Sequence, residues 1–165
     1  MGPYDKYCDD GWIKVERQKG SWCIKLYKEN VYTRSDAEES CKNIDSVLSS
    51  VENNDELKII SYLMNDSLYD IALIGAKLTD KCPCNASEGN KCNTCRFADA
   101  FEWTDGFVTG REALETGKEI LTTPEYGNTL YVNQYNIQSA QDTTIKSWTT
   151  TLLTKIFVVC GKKAK

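Results

Sequence analysis

The chain has 165 residues, of which 41% are hydrophobic and 27% are charged, proportions that are ordinary for a soluble globular protein. The 20 basic and 24 acidic residues leave a net charge of −4, so the composition lacks the basic footprint of a nucleic-acid-binding protein. No segment approaches the roughly 18 consecutive apolar residues of a membrane-spanning helix. Histidine is absent, which excludes Ser-His and Cys-His nucleophiles within this chain. We expect a single domain over residues 1–165 that needs no cofactor.

The chain contains eight cysteines, and their even number favours four disulfides in a secreted or extracellular protein. Asn-Xaa-Ser sequons at Asn65 and Asn85 are candidate glycosylation sites and favour the same compartment. The alternative is a zinc-binding structural module, because four thiols lie close together along the chain and could close a tetrahedral site. These four are Cys82, Cys84, Cys92 and Cys95. The four other cysteines, spread along the whole chain, favour disulfides over zinc.

The first half of the chain predicts a hairpin followed by two helices. Residues 8–27 alternate charged and apolar side chains around a Gly-Ser turn, and Cys8 and Cys23 flank this hairpin and are expected to close it. A helix is predicted over 33–44, capped by Thr33 or Ser35, with Cys41 on its buried face. A second helix is predicted over 53–66, in which Asn53 caps the first turn and Glu56 returns the hydrogen bond. Its buried stripe is Leu57, Ile60 and Met64.

The second half predicts strands around a long irregular region. Residues 70–76 form a short buried strand that ends near a glycine, and the apolar run 154–160 indicates a strand buried on both faces. The region 107–147 is polar, with "NTLYVN" as its single strand-like segment. This order of strands, two helices and strands indicates the α+β class.

Five stretches in this order resemble the C-type lectin-like domain, most of all its nematode form. They are the hairpin "CDDGWIKV…SWCIKLY", the helix and strand "TRSDAEESCKNIDSVLSSVENNDE", "ALIGAK", "FEWTDG" and "KSWTTTLLTKIFVVC". The resemblance implies two helices that flank small antiparallel sheets, with a long polar loop region over 107–147. It also implies a bridge between Cys41 and Cys160. The pairing of the other four cysteines stays open, and nested bridges Cys82–Cys95 and Cys84–Cys92 are preferred.

Sugar-binding members of the family hold calcium with a Glu-Pro-Asn or Gln-Pro-Asp triplet in the long loop and a Trp-Asn-Asp triplet on a late strand. This chain has Thr-Pro-Glu at 123–125 and Trp-Thr-Thr at 148–150. Calcium takes six to eight oxygen ligands with carboxylates among them, so this pattern predicts no metal at the site. The inner disulfide of the family is also missing, and an apolar contact of Leu130 with Leu152 or Leu153 is expected in its place.

The resemblance therefore implies a binding module rather than an enzyme. We expect a protein ligand, recognised through the long loop, with calcium-independent carbohydrate binding as the alternative; no nucleic acid and no membrane insertion are expected. Tyrosines among amide side chains favour a contact surface, whereas Trp103 and Trp148 are expected in the core and Asp105 is expected to cap its own turn. The candidate ligand-binding residues are Glu112, Glu115, Glu125, Tyr126, Asn128, Asn133 and Tyr135.

Overall fold

The computed structural model describes residues 6–28, 31, 33–65, 70–79, 97–116, 127–151 and 154–165. The amino-terminal hairpin is formed as predicted, by strands β1 (Ile13–Arg17) and β2 (Gly20–Lys28) in antiparallel pairing. The Cys8–Cys23 disulfide closes it. Strand β2 pairs with the carboxyl-terminal strand, and Tyr7 and Lys165 exchange backbone hydrogen bonds beside the hairpin.

Helix α1 (Arg34–Lys42) begins after Thr33, whose side chain accepts a hydrogen bond from the Asp36 amide. Helix α2 (Asn54–Leu63) begins after Asn53, whose side chain accepts from the Glu56 amide at 3.0 Å. Both predicted caps are therefore confirmed, because each side chain satisfies an amide that has no partner within its helix. The return bond from Glu56 to Asn53 is wrong: the Glu56 carboxylate accepts from the Glu52 amide and from Arg17 instead.

The remaining strands of the main sheet are β3 (Val47–Leu48), β4 (Ile71–Ile74), β7 (Thr129–Asn133), β8 (Asn136–Ala140) and β9 (Ile156–Lys163). The strand order is β1-β2-β9-β4-β7-β8, and β3 pairs with β9 at Cys160 and Gly161, beyond the residues of β9 that pair with β4. A second, two-stranded sheet pairs β5 (Ala76–Leu78) with β6 (Phe101–Trp103), which follows the short helix α3 (Phe97–Ala100).

Apolar side chains cover the main sheet on both faces. Along β9, Val159 belongs to the core that packs under α2, whereas its neighbours Val158 and Cys160 belong to the core under α1. The alternation follows from the pleat of a strand, which directs successive side chains to opposite faces. The prediction that the last strand is buried on both faces is confirmed, and Cys41 of α1 bridges Cys160 as the resemblance implied.

Two elements of the predicted loop region were not expected from the sequence. Helix α4 (Asp142–Thr151) lies against the same face as α1, with Ile145 fully buried, and strand β8 completes a hairpin with β7. A turn of 3-10 helix (Ala113–Thr116) precedes them. The structure therefore has more helices than the two expected. Helix α4 is needed because α1 does not cover the part of this sheet face that β7 forms.

Other predictions fall outside the described residues. They concern the bridges Cys82–Cys95 and Cys84–Cys92, the zinc alternative at the same cysteines, the sequon Asn85, and the contact of Leu130 with Leu152 or Leu153. Asn65 is exposed, at a positive φ of 60° just after α2. Among the helices that are described, none is long and apolar enough to cross a membrane.

Candidate functional site

The turn after β6 is held by buried hydrogen bonds to Asp105. One oxygen of this carboxylate accepts from the Phe107 amide at 2.9 Å, which confirms that Asp105 caps its own turn. The other oxygen accepts from both the amide and the hydroxyl of Ser50. Because the Asp105 side chain is fully buried and already surrounded by donors, it serves the fold and is not available to a ligand.

A buried arginine that the sequence did not indicate lies next to this turn. Arg17 of β1 donates two parallel hydrogen bonds to Glu56 of α2, at 3.0 and 2.7 Å. It donates three more, to the hydroxyl and carbonyl oxygens of Ser50 and to the carbonyl of Phe107. Its Nη1 atom is 3.8 Å from Asp105, so one guanidinium joins β1, α2 and the turn.

The first part of the predicted loop region packs beside helix α2. The Glu112 carboxylate accepts a hydrogen bond from the Asn54 amide at 2.9 Å, at the amino-terminal turn of the helix, where negative charge is favourable. Glu115 is exposed on the 3-10 turn. The hydroxyl of Thr116 accepts from the Ile137 amide and so connects this turn to strand β8.

The tip of the β7–β8 hairpin presents an aromatic side chain in an unusual backbone conformation. Its two central residues, Gln134 and Tyr135, have φ values of 44° and 66°. Such two-residue turns normally carry glycine or asparagine, because a side chain strains the left-handed region. The Tyr135 amide donates to the Ser61 hydroxyl of α2 at 3.0 Å, which holds the tip against the helix. Tyr135 is 45% exposed, and Tyr62, the residue after Ser61 in α2, is 74% exposed.

The structure separates the other candidate residues. Asn128 is exposed before the first residue of β7, whereas Asn133 ends this strand and donates to the Asp70 carbonyl at 3.0 Å. The five residues of β7 therefore lie between Asn128 and the hairpin tip. Glu125 and Tyr126 fall outside the described residues. Of the described candidates, Asn133 and Tyr135 thus lie at the tip and Glu112 lies beside the start of α2, whereas Glu115 is on the 3-10 turn and Asn128 lies before β7.

The expectation that residues 148–150 lie on a late strand is wrong. These residues belong to helix α4, and the strand that follows β7 is β8, which places Ile137, Gln138 and Ser139 opposite Val132, Tyr131 and Leu130. The expectation followed from matching residues 148–150 to the family's late-strand triplet, and this match does not hold because the chain forms a helix there.

Trp148 is half-buried and packs edge-on against Tyr131, with ring centroids 5.6 Å apart, and Trp103 packs against the core under α2. Both tryptophans therefore pack against the core, as expected of structural aromatics, but they lie at its edge and remain partly exposed. The Thr149 hydroxyl donates to the Lys146 carbonyl within the helix, at 2.7 Å.

The fold has counterparts among solved structures. The calcium-independent type II antifreeze protein superposes with a TM-score of 0.52 and 17% identity, covering 99% of this chain and 100% of that one. The C-type carbohydrate-recognition domain of cow CD23, crystallised in the presence of an oligosaccharide, has a TM-score of 0.50 and 14% identity over 98% and 99% of the two chains. The calcium-free form of a Ca²⁺-dependent type II antifreeze protein has a TM-score of 0.50 and 13% identity, covering 94% and 100%.

These similarities show a C-type lectin-like fold. No curated protein sequence matches the chain at a significant level. A sequence model of the family described as C-type lectin domain-containing protein 141/158 matches residues 14–107, from β1 to the turn after β6. This match spans more than half of the chain and includes the hairpin, α1, α2 and the Asp105 turn. The chain therefore belongs to the C-type lectin domain-containing protein 141/158 family.

Proposed function

We propose that the chain is an extracellular binding module that recognises a protein ligand without calcium. The ligand contacts the loop side, which we define as the surface at the β7–β8 tip that carries Tyr135. The observation that carries this proposal is the β7–β8 tip, where exposed Tyr135 stands on a strained turn that α2 holds in place. Strained backbone persists where the surrounding structure imposes it, and it clusters at binding sites. A rigid, exposed tyrosine offers contact area at little cost in conformational entropy.

The bonding of strand β8 and its neighbours supports calcium independence. The amide oxygen of Gln138 accepts from the Tyr131 hydroxyl at 2.9 Å, and the Asp142 carboxylate accepts from Thr129 at 2.8 Å. Both acceptors are thus engaged by donors of the protein, whereas calcium requires six to eight oxygens. The calcium-independent antifreeze protein supports the view that this fold can exist without the ion.

The extracellular location is supported by the two disulfides, since such bridges persist in oxidising compartments. The alternative ligand is a glycan bound without calcium, and it is favoured by the amide side chains of Gln134 and Asn136, both exposed beside Tyr135. Aromatic rings with neighbouring amides suit sugar recognition as well as protein contact. We favour a protein ligand because the described tip is a convex hairpin, whereas small-ligand sites are concave.

The test uses two arrays, one of secreted and cell-surface ectodomains and one of glycans, each probed with calcium and with EDTA. We expect ectodomain binding that EDTA does not change and that Tyr135→Ala weakens by roughly tenfold or more, as for a central aromatic anchor. Tyr7→Ala is the matched control, because Tyr7 is also exposed (60%) but lies beside the carboxyl terminus. Loss of binding in EDTA, or equal binding by Tyr135→Ala, would overturn the proposal, and hits on the glycan array alone would establish the alternative.

A further inference from the structure

A groove lies away from the loop side, between the end of α1, strand β3, the end of β9 and the Asp105 turn. It encloses about 510 Å³ and continues into a second hollow of about 330 Å³ beside Thr104. Strands β4 and β7 separate β9 from β8, so the groove is remote from the Tyr135 tip. The lining residues that matter for binding are Lys42, Asp45, Phe107, Gly161, Lys162 and Lys163.

The groove concentrates positive charge on a chain whose net charge is negative. Lys42 at the end of α1 and Lys163 at the end of β9 are exposed. In the part of the chain that the structure describes, neither ammonium lies within 4.0 Å of a carboxylate. Lys162 is neutralised by Asp9 at 2.7 Å. The net negative charge does not cancel this patch, because solvent ions screen charges beyond about 8 Å at physiological ionic strength.

The acidic groups of the groove do not offset both lysines. The Asp105 side chain is fully buried and is occupied by Ser50 and Arg17, which leaves Asp45 as the exposed carboxylate among the described residues of the larger hollow. Glu38, which lines the smaller hollow, is paired with Arg34 at 3.3 Å. A fourth lysine, Lys19, reaches the rim of the turn and donates to the Gly106 carbonyl at 3.1 Å. Among the described residues around this groove, lysines without a carboxylate partner therefore outnumber carboxylates without a basic partner.

An aromatic surface lies beside Lys163 in the groove. Phe107 stacks on Trp22 with ring centroids 4.7 Å apart and an interplanar angle of 19°, and the Lys163 ammonium lies 5.4 Å from the Phe107 ring. The stack depends on Gly161, because a Cβ at this position would collide with the Trp22 indole. An apolar ring beside an ammonium group can contact the face of a sugar ring while lysines of the groove bind its acidic substituents.

We propose that this groove binds a sulfated polysaccharide chain. An acidic peptide fits the charge equally, but a peptide bound in extended form needs a long strand edge for its backbone hydrogen bonds. The edge beside this groove is β3, which has two residues. A sulfated glycan needs no such edge, since its sulfates accept from lysines that stand on separate elements. This binding does not depend on the loop-side function.

The test measures binding of a size-defined heparin oligosaccharide by calorimetry, with its desulfated counterpart and poly-glutamate as comparison ligands. The double variant Lys42→Gln, Lys163→Gln should bind the sulfated chain about tenfold more weakly, since each exposed ion pair contributes only a few-fold to the affinity. The matched control is Lys58→Gln, Lys155→Gln, which removes two exposed lysines elsewhere and should bind as the wild type does. Tyr135→Ala should also bind normally, which separates this site from the loop side.

Each alternative outcome counts against the proposal. No binding of the sulfated chain at physiological salt would overturn it, as would equal losses in both double variants, because attraction would then follow net charge alone. Tighter binding of poly-glutamate than of the sulfated chain would assign the groove to acidic peptides instead. Thermal unfolding of both double variants controls for stability, and midpoints within a few degrees of the wild type are expected, because exposed lysines contribute little to folding.

Discussion

Replacing Arg17 by methionine should destabilise the protein more than any comparable change to an exposed ion pair. Methionine retains an unbranched apolar stem but provides no donors. The substitution removes five hydrogen bonds and leaves the carboxylate of Glu56, a residue that is 3% exposed, without its cation. Asp105, 3.8 Å from the guanidinium, loses its nearest positive charge as well.

The magnitude follows from burial. The Arg17 side chain is 0% exposed and that of Glu56 is 4% exposed, and breaking such a pair from one side costs about 3–5 kcal/mol because a charge remains buried and unpaired. Whole domains are stable by about 5–15 kcal/mol, so this single change removes a large part of the total. The exposed pair Lys77–Glu102 has a similar length of 3.1 Å, but its side chains are 54% and 48% exposed, so Lys77→Met should cost less than about 1 kcal/mol.

The loss of unfolding free energy in Arg17→Met and in Lys77→Met is measured by urea unfolding at pH 7 with the disulfides intact. Each loss appears as a shift of the unfolding midpoint, with no change in the dependence of the free energy on urea concentration. Adding Glu56→Leu to Arg17→Met should recover stability, because the second change removes the stranded carboxylate. The reasoning is refuted if Arg17→Met lies within 1 kcal/mol of wild type, or if it is no more destabilising than Lys77→Met. A double variant less stable than Arg17→Met would show that packing, rather than the buried charge, dominates.

Two further changes test the end of β9 and the strand beside it. The hydrogen bond from Lys162, assisted by Lys165, lowers the pKa of Asp9 from 3.8 to about 2. Because the folded-state pKa is lowered, the stabilisation is present above about pH 4 and is lost as the pH falls through about 2, so the stability gap between wild type and Asp9→Asn should close over this range. An NMR titration of Asp9 with a midpoint near 3.8 would contradict the lowered pKa. Gly161→Ala should cost about 1–3 kcal/mol in urea unfolding and change the tryptophan emission, because the new methyl group displaces the buried Trp22 ring; a cost below 0.5 kcal/mol would show that the ring has room to move.

Part of the candidate surface could be anticipated from composition alone. Tyr135 was predicted as a contact residue because tyrosine among amide side chains is typical of recognition loops. Its backbone conformation was not predictable, since Gln134 and Tyr135 lack the glycine or asparagine that announces a tight hairpin turn. The groove could not be predicted from the sequence either. Lys42 and Lys163 are 121 positions apart in the chain, and only the pairing of β3 with β9 brings their elements together.

The sequence by itself determined the elements whose signals are local. Thr33 and Asn53 cap helices because a short polar side chain satisfies amides within three residues, and the alternation and cysteines of the first hairpin act over a similarly short range. The Cys41–Cys160 bridge is implied by the resemblance to the family, and no local pattern in the sequence predicts it.

Tertiary structure alone decided the rest. Helix α4 is rich in threonine, which favours helices weakly, and it exists because Ile145 and Trp148 cover an apolar face of the sheet. Glu56 was free to complete a local capping box, but its carboxylate pairs instead with Arg17, 39 residues earlier. A buried guanidinium must be fully paired wherever the fold places it, and such a requirement between distant residues leaves no periodic or local pattern in the sequence.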